Sequence, residues 1–210
     1  MIKILTMALI AAGLGACSPL KSAAPVPLTY ALHPDLSTAQ TMSLPSGVML
    51  VSRPGLPAGF DTDRIALYMD GGRRIDYYAG ARWAEPLDSV LQDVLVRAGR
   101  HELPNMIVDS PDLNIPTQYK LAVKVNEFSP VYAHGAEGIP QLKLSMTFTL
   151  VQMPRENVLT DFTLQSEMRA ENNSVSAVAA GLENMLRTIL PRAYANMAEA
   201  IRPSAGMKGE

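Results

Sequence analysis

Strict alternation of apolar and polar positions predicts three long strands in the second half of the chain. Two of them lie in the segments QLKLSMTFTLVQ and NVLTDFTLQSEMR, and the third begins at Tyr119. A period of two places the apolar side chains on one buried face of a sheet. These side chains are Tyr119, Leu121, Val123 and Val125 in the first strand, Leu142, Leu144, Met146, Phe148 and Leu150 in the second, and Val158, Phe162, Leu164 and Met168 in the third. The four residues MPRE between the last two strands fit a hairpin loop.

The first half of the chain predicts two short strands, at residues 30–32 and 48–52, and then a hairpin. The alternating residues of the hairpin are Ile65, Leu67 and Met69 before Gly71-Gly72 and Ile75 and Tyr77 after it. Primed hairpin turns require positive φ, which glycine adopts at low cost. We therefore expect a two-residue turn at Gly71 and Gly72.

Two segments carry apolar residues at helical spacing. The first follows Pro86 and ends near Gly99, and the second starts at about Ser174. Their apolar positions are Leu87, Val90, Leu91, Val94, Leu95 and Ala98 in the first, and Val175, Val178, Ala179, Leu182, Leu186, Ile189, Ala193 and Met197 in the second. An internal proline removes a hydrogen bond and clashes with the preceding turn. Pro191 therefore predicts a kink or two shorter helices.

The order of these elements predicts an α+β fold, a two-layer sandwich in which two helices pack on one face of a mainly antiparallel sheet. We assign this body to residues 29–203 and a flexible tail to residues 204–210. A chain of this length buries about 70% of its unfolded surface on folding. The body therefore needs neither a disulfide nor a metal for stability, and we expect no cofactor.

The N-terminus has the pattern of an export signal. Residues 4–13 are apolar or small and follow Lys3, which is typical of a secretory h-region. A spanning helix needs about 20 apolar residues, so this segment is too short. The sequence Leu14-Gly15-Ala16-Cys17 resembles the lipobox of bacterial lipoproteins, where a peptidase cuts before a cysteine that carries diacylglyceryl. We therefore assign residues 1–16 to a lipoprotein signal peptide.

Cys17 is the only cysteine in the chain, and lipidation accounts for it because exported proteins otherwise favour paired cysteines. The alternative is an ordinary signal peptide cut near Ala16, which leaves Cys17 as a free thiol. Residues 17–28 then form an acylated cysteine and a proline-rich, extended tether. Ser18 takes the place of the Asp that retains enterobacterial-type lipoproteins at the inner membrane. We expect an outer-membrane protein that faces the periplasm.

Charge and motifs exclude several classes of function. The 18 basic and 20 acidic side chains give a net charge of −2 without a basic stripe, which argues against nucleic-acid binding. His33, His101 and His134 are too far apart in sequence for a zinc motif, and no Gly-x-Ser-x-Gly elbow is present. We predict that the protein is not an enzyme and holds no metal.

Arginines and aromatic residues are concentrated in the segment RIDYYAGARWAEPL. These residue types are enriched at interface hot spots. The predicted partner-binding residues are Arg73, Arg74, Tyr77, Tyr78, Arg82 and Trp83. The alternative interpretation is that Trp83 and one of the tyrosines pack under the first helix, since aromatic side chains are commonly buried.

The chain resembles the ABC-type transport auxiliary lipoprotein family, which is PqiC-like. The resemblance depends on the order of the lipobox at Cys17, a Tyr-Ala-Leu at Tyr30, Leu56-Pro57, an Asp-x-x-Arg-Ile that starts at Asp61, and a Tyr-Tyr-x-x-x-x-Trp that starts at Tyr77. It covers most of the chain after the signal peptide. No part of this pattern is catalytic.

The resemblance implies an envelope protein that works beside an inner-membrane ABC transporter and a periplasmic MCE-domain protein that moves lipids between the two membranes. Acyl chains on Cys17 anchor it, and the body docks on the MCE assembly, with a homo-oligomeric ring as one arrangement. The first alternative is a structural assembly lipoprotein of an outer-membrane complex such as the lipopolysaccharide translocon. The second is a periplasmic enzyme whose site the sequence does not reveal.

Overall fold

The computed structural model describes residues 26–36, 46–112, 115–133 and 135–202. Within these ranges the chain forms eight strands and two helices, an α+β fold as predicted. The strands are β1 (Leu28–Tyr30), β2 (Gly47–Val51), β3 (Arg64–Met69), β4 (Arg74–Trp83), β5 (Met106–Asp109), β6 (Tyr119–Val131), β7 (Gln141–Gln152) and β8 (Asn157–Arg169), and the helices are α1 (Leu87–Glu102) and α2 (Val175–Ile201). The predicted signal peptide, Cys17, most of the tether and the tail lie outside the described residues.

All eight strands belong to one sheet, in which β6 is the central strand. One edge of β6 pairs with β7, and β8 extends the sheet beyond β7. The other edge of β6 is shared: β2 pairs with its start, and β3 pairs with its end, where Tyr68 lies opposite Val131. β5 continues the sheet beyond β2, while β4 and then β1 continue it beyond β3.

The sheet is mixed, so the prediction of a mainly antiparallel sheet is wrong. Four strand pairs are parallel, namely β1–β4, β2–β5, β2–β6 and β3–β6, and three are antiparallel. Alternation detects the long antiparallel strands well, but it carries no information on pairing direction. Parallel neighbours need a long crossover, and here α1 provides one between β2 and β5.

Apolar side chains of the sheet and the helices form one main core. Leu142, Leu144, Met146, Phe148 and Leu150 of β7 are all 0–1% exposed. α1 packs against β2 and β5, α2 packs against β7 and β8, and the two helices contact each other. The Tyr194 hydroxyl of α2 donates to the carbonyl oxygen of Leu95 in α1 at 2.6 Å. This hydrogen bond fixes the two helices together.

α2 runs without a break from Val175 to Ile201, with Pro191 inside it. Of the two predicted outcomes, that of two shorter helices is therefore wrong, while the kink at Pro191 stays a prediction. Leu190 and Ala193, on either side of the proline, are fully buried. Since most helical stability in proteins comes from packing of the apolar face, burial on both sides compensates for the lost hydrogen bond.

The β3–β4 turn is longer than predicted. Met69 pairs with Arg74, so four residues connect the strands in place of two. Asp70, Gly71 and Gly72 all have positive φ, at 54°, 68° and 96°. The glycines supply the backbone conformation that was expected of them, but Asp70 also adopts it, and the turn widens.

The third long strand departs from simple alternation at its start. The register between β7 and β8 shifts so that Leu150 lies opposite Thr160 and Val151 opposite Val158. This β-bulge leaves Val158 55% exposed, while Leu159 packs against the core. The predicted inward position of Val158 is therefore wrong, because an extra residue reverses the side on which side chains lie. The MPRE loop at residues 153–156 is confirmed.

Candidate partner-binding surface on strand β4

The six residues predicted to bind a partner lie together in the β3–β4 turn and in β4. Arg73 is in the turn, and the other five belong to the strand. The structure divides them by exposure. Arg73, Arg74 and Arg82 are exposed, Tyr77 and Tyr78 are half-buried, and Trp83 is buried.

Trp83 is a core residue, as the alternative interpretation expected. Its side chain is 2% exposed, and its ring lies 6.3 Å from the ring of Phe128 in β6. It therefore supports β4 from within the core and offers no surface to a partner of the folded chain.

Tyr77 joins β4 to the loop that precedes β3. Its hydroxyl donates to the carbonyl oxygen of Gly59 at 2.9 Å. The guanidinium of Arg64 lies 3.8 Å from the centre of the Tyr77 ring, a distance at which a cation and the ring face attract each other. The ring is therefore held in one orientation on the surface.

Tyr78 belongs to a chain of hydrogen bonds that links three parts of the molecule. Its hydroxyl lies 2.7 Å from that of Tyr132, and the Tyr132 hydroxyl donates to Asn173 Oδ1 at 2.7 Å. Because a tyrosine hydroxyl has one proton, Tyr78 is the donor to Tyr132. Asn173 Nδ2 in turn donates to the carbonyl oxygen of Ala136 at 2.7 Å. This series of hydrogen bonds connects β4 to the β6–β7 loop and to the residue before α2.

Burial raises the pKa of Tyr78, and the hydrogen bond to Tyr132 raises it further. The phenol is therefore neutral at physiological pH. Tyr78 consequently serves the surface as a fixed, uncharged aromatic side chain.

A cavity of about 410 Å³ opens beside this hydrogen-bonded chain. Its apolar wall includes Leu67 and Met69 of β3, which with Tyr132 form a small cluster separate from the main core. Asp76 and Val175 also line it. Sequence reasoning missed Tyr132, Asn173 and Asp76 because none belongs to a chemical motif. Only the fold brings them to Tyr78.

Two of the three arginines of the surface, Arg74 and Arg82, are paired with carboxylates at the edge of solvent. Arg74 lies 3.3 Å from both Asp70 and Asp76, and Arg82 lies 3.7 Å from Asp63. Each exposed ion pair of this kind contributes about 0–1 kcal/mol to the free energy of unfolding. An incoming partner with carboxylates can therefore exchange these pairs at small cost.

The described residues contain no group of three or more His, Cys, Asp or Glu side chains that would hold a metal. His33 is exposed, and His101 lies 3.4 Å from Glu102, while the structure does not describe His134. Burial raises the pKa of Glu102, and its hydrogen bond with His101 lowers it in part. Glu102 lies at the end of α1, away from the β4 residues.

Comparison with known proteins identifies the family. The model of the ABC-type transport auxiliary lipoprotein component matches residues 30–191, which extend from the end of β1 into α2. The chain belongs to this family. A search among curated proteins finds no match. In the described ranges, neither helix has the length and apolarity required to cross a bilayer.

Solved structures share the fold. A crystal structure of a Xanthomonas campestris protein of family DUF330 has a TM-score of 0.68 at 22% identity, covering 82% of this chain and 95% of that one. A crystal structure of an uncharacterized protein has a TM-score of 0.63 at 17% identity, covering 85% and 100% of the two chains. At these identities the likeness establishes the fold alone.

Proposed function

We propose that this protein is an outer-membrane-anchored periplasmic lipoprotein that acts as a non-enzymatic accessory component of an ABC/MCE-type intermembrane lipid transport system. The observation that carries the proposal is the family match, which spans the folded body from β1 into α2. The name of the family refers to transport and to lipidation, and it names no catalytic activity.

In this proposal residues 1–16 are removed, and Cys17 carries the acyl chains. Each methylene buried in the bilayer contributes about 0.8 kcal/mol, and one chain alone gives marginal binding. A lipoprotein cysteine carries several chains, so the anchor is stable. Residues 17–28 form the tether that connects the anchor to the body at residues 29–203.

The body docks on the MCE-domain protein through the exposed side of β4. Arg73, Arg74 and Arg82 supply exposed guanidinium groups there. Arg74 and Tyr78 lie on one face of the strand and Tyr77 lies on the other, because successive side chains of a strand alternate between its faces. Hydrogen bonds to Gly59 and Tyr132 hold both tyrosines in place before binding. Fixed side chains lose less conformational entropy on association than mobile ones, so they favour binding. The complementary surface on the partner carries carboxylates.

Photo-crosslinking in living cells tests the docking surface. A photoreactive amino acid replaces Arg74, and in a matched control it replaces the exposed Arg155. Arg155 lies in the β7–β8 loop, near the start of β6, whereas Arg74 lies near the end of β6. We expect capture of an MCE-domain protein from position 74 and not from position 155.

Two results would contradict this proposal. Capture of an outer-membrane barrel from position 74 favours the role of an assembly lipoprotein for an outer-membrane complex. Equal capture from both positions shows that β4 has no special part in docking.

A further inference from the structure

The outer edge of β8 is unpaired along its whole length in the described part of the chain. β8 spans thirteen residues and pairs only with β7. An unpaired strand presents a row of backbone N–H and C=O groups that can pair with another strand. The edge is therefore a template for extending the sheet.

The core-facing side chains of β8 are also incompletely covered. Phe162, Leu164 and Met168 are half-buried, although their direct neighbours on β7 are fully buried. The difference arises because one side of β8 has no neighbouring strand. One further strand would cover both the backbone edge and this apolar row.

β8 has only some of the features that usually protect an edge. Natural proteins place proline, charged side chains (lysine above all) or a β-bulge on exposed edge strands. β8 contains neither proline nor lysine, its charged side chains Asp161, Glu167 and Arg169 are of both signs, and its bulge lies at Leu159, near the start. From Thr160 to Arg169 the ladder with β7 is regular.

We propose that β8 pairs with β8 of a second copy of this chain, antiparallel, across a twofold axis at Gln165. Gln165 then lies opposite Gln165 of the second copy, and Asp161 lies opposite Arg169 of the second copy. Twofold symmetry repeats the second contact. The two sheets become one continuous sheet, and the interface is the same patch on both copies.

Charge complementarity selects this register. Arg169 is exposed and has no acidic partner among the residues that the structure describes, and the twofold axis at Gln165 gives it one. Asp161 and Arg169 point to the same face of the strand because their separation is even. An axis at Leu164 would instead place Asp161 opposite Glu167, and like charges directly opposite each other destabilise a sheet.

The pairing leaves the docking surface free. β4 and β8 lie on opposite sides of the central strand β6. The dimer therefore presents one β4 surface at each end of its continuous sheet. If β4 docks as proposed above, the pair can bind two sites together and gain effective concentration. The pairing itself does not depend on that function.

Disulfide crosslinking of the full chain in membranes tests the register. In Gln165→Cys the two thiols meet at the axis, whereas in the control Thr163→Cys each thiol faces Glu167 of the second copy. We expect a covalent dimer from Gln165→Cys at least several times more abundant than from Thr163→Cys. The unsubstituted chain shows any crosslink made by Cys17. Equal or absent crosslinking from Gln165→Cys overturns the proposal.

A charge exchange tests the contact in a second way. In sedimentation of the full chain in detergent, Arg169→Glu should weaken dimerisation by roughly tenfold because repulsion replaces attraction at two sites. Combining Arg169→Asp with Asp161→Arg should restore most of the affinity. A monomer at all concentrations, a ring of more than two copies, or no effect of Arg169→Glu contradicts the twofold pair. Unchanged circular dichroism confirms that the variants fold.

Discussion

At the residue scale, the candidate surface depends on polar groups that satisfy one another. The Tyr78, Tyr132 and Asn173 side chains form one connected set, and each hydrogen bond in it is 2.7 Å long. A fully satisfied network of this kind fixes its members, but loss of one member leaves others unpaired. The orientation of Tyr78 therefore depends on residues that lie far from it in sequence.

We expect Tyr132→Phe to lower the free energy of unfolding by about 1–3 kcal/mol. The substitution leaves the Tyr78 hydroxyl without its acceptor and Asn173 Oδ1 without its donor. Chemical denaturation measures the change. Tyr119→Phe is the control, because the Tyr119 hydroxyl has no hydrogen-bond partner among the described residues. Equal losses in both variants would show that the network contributes nothing specific.

The buried carboxyl of Glu102 should make the stability of the protein depend on pH. Its carboxyl is 2% exposed, and burial raises its pKa above the ordinary value of 4.5. The folded protein therefore holds this proton more tightly than the unfolded chain. Its stabilising effect is complete below pH 4.5 and is lost as pH rises through the higher folded-state pKa.

Glu102→Gln removes this titration. We expect the variant to gain stability relative to the parent protein as pH rises from 4 to 7, with thermal unfolding as the measurement. The trend should persist in a His101→Gln background, since burial is the larger cause of the raised pKa. A stability difference that does not change with pH would show that the Glu102 pKa is unshifted.

At the element scale, long periodic segments could be predicted and strand pairing could not. β7, β8 and both helices follow from alternation or helical spacing over ten or more residues. β5 has only four residues, too few for a period to be recognised. The direction of each pairing depends on crossovers, and the partners of Tyr78 lie in a loop and before a helix. No local pattern contains this information.

The contact between the helices depends on a glycine. A Cβ added at Gly99 of α1 would lie 2.7 Å from Val108 Cγ1 and 3.0 Å from the Tyr194 hydroxyl oxygen. Tyr194 is fully buried and hydrogen-bonded to Leu95, so it has no room to move. The helices can therefore approach this closely only with glycine at this position.

We expect Gly99→Ala to destabilise the protein by about 1–3 kcal/mol through overpacking, despite the better helix propensity of alanine. Gly138→Ala is the control, because a Cβ added at Gly138 would meet no atom within 4 Å. Gly138→Ala should change the stability little. The measurement is the thermal unfolding temperature of both variants. A Gly99→Ala protein that is more stable than the parent would contradict the close packing.

At the scale of the whole molecule, the proposed docking surface carries the exposed side chains of Arg73 and Arg74. Replacing Arg73 and Arg74 together by Glu reverses two charges on that surface. We expect it to reduce co-purification of the MCE-domain protein by at least roughly tenfold, while Arg155→Glu has little effect. Equal effects of the two variants would mean that net charge, and not the β4 surface, controls association.

The lipid anchor at Cys17 stays a prediction from the sequence, while the exposure of the predicted partner-binding residues could be predicted only in part. The segment at Arg73–Trp83 combines exposed arginines with a buried tryptophan, and composition alone does not separate them. The assignment of the family follows from the order of motifs along the chain, and the match over residues 30–191 establishes it.

Mass spectrometry of the native protein from separated outer membranes tests the proposed lipid anchor. We expect the mature chain to begin at Cys17 and the Cys17 sulfur to carry diacylglyceryl. A bare thiol at Cys17, or a protein that washes out with the periplasmic fraction, would contradict it.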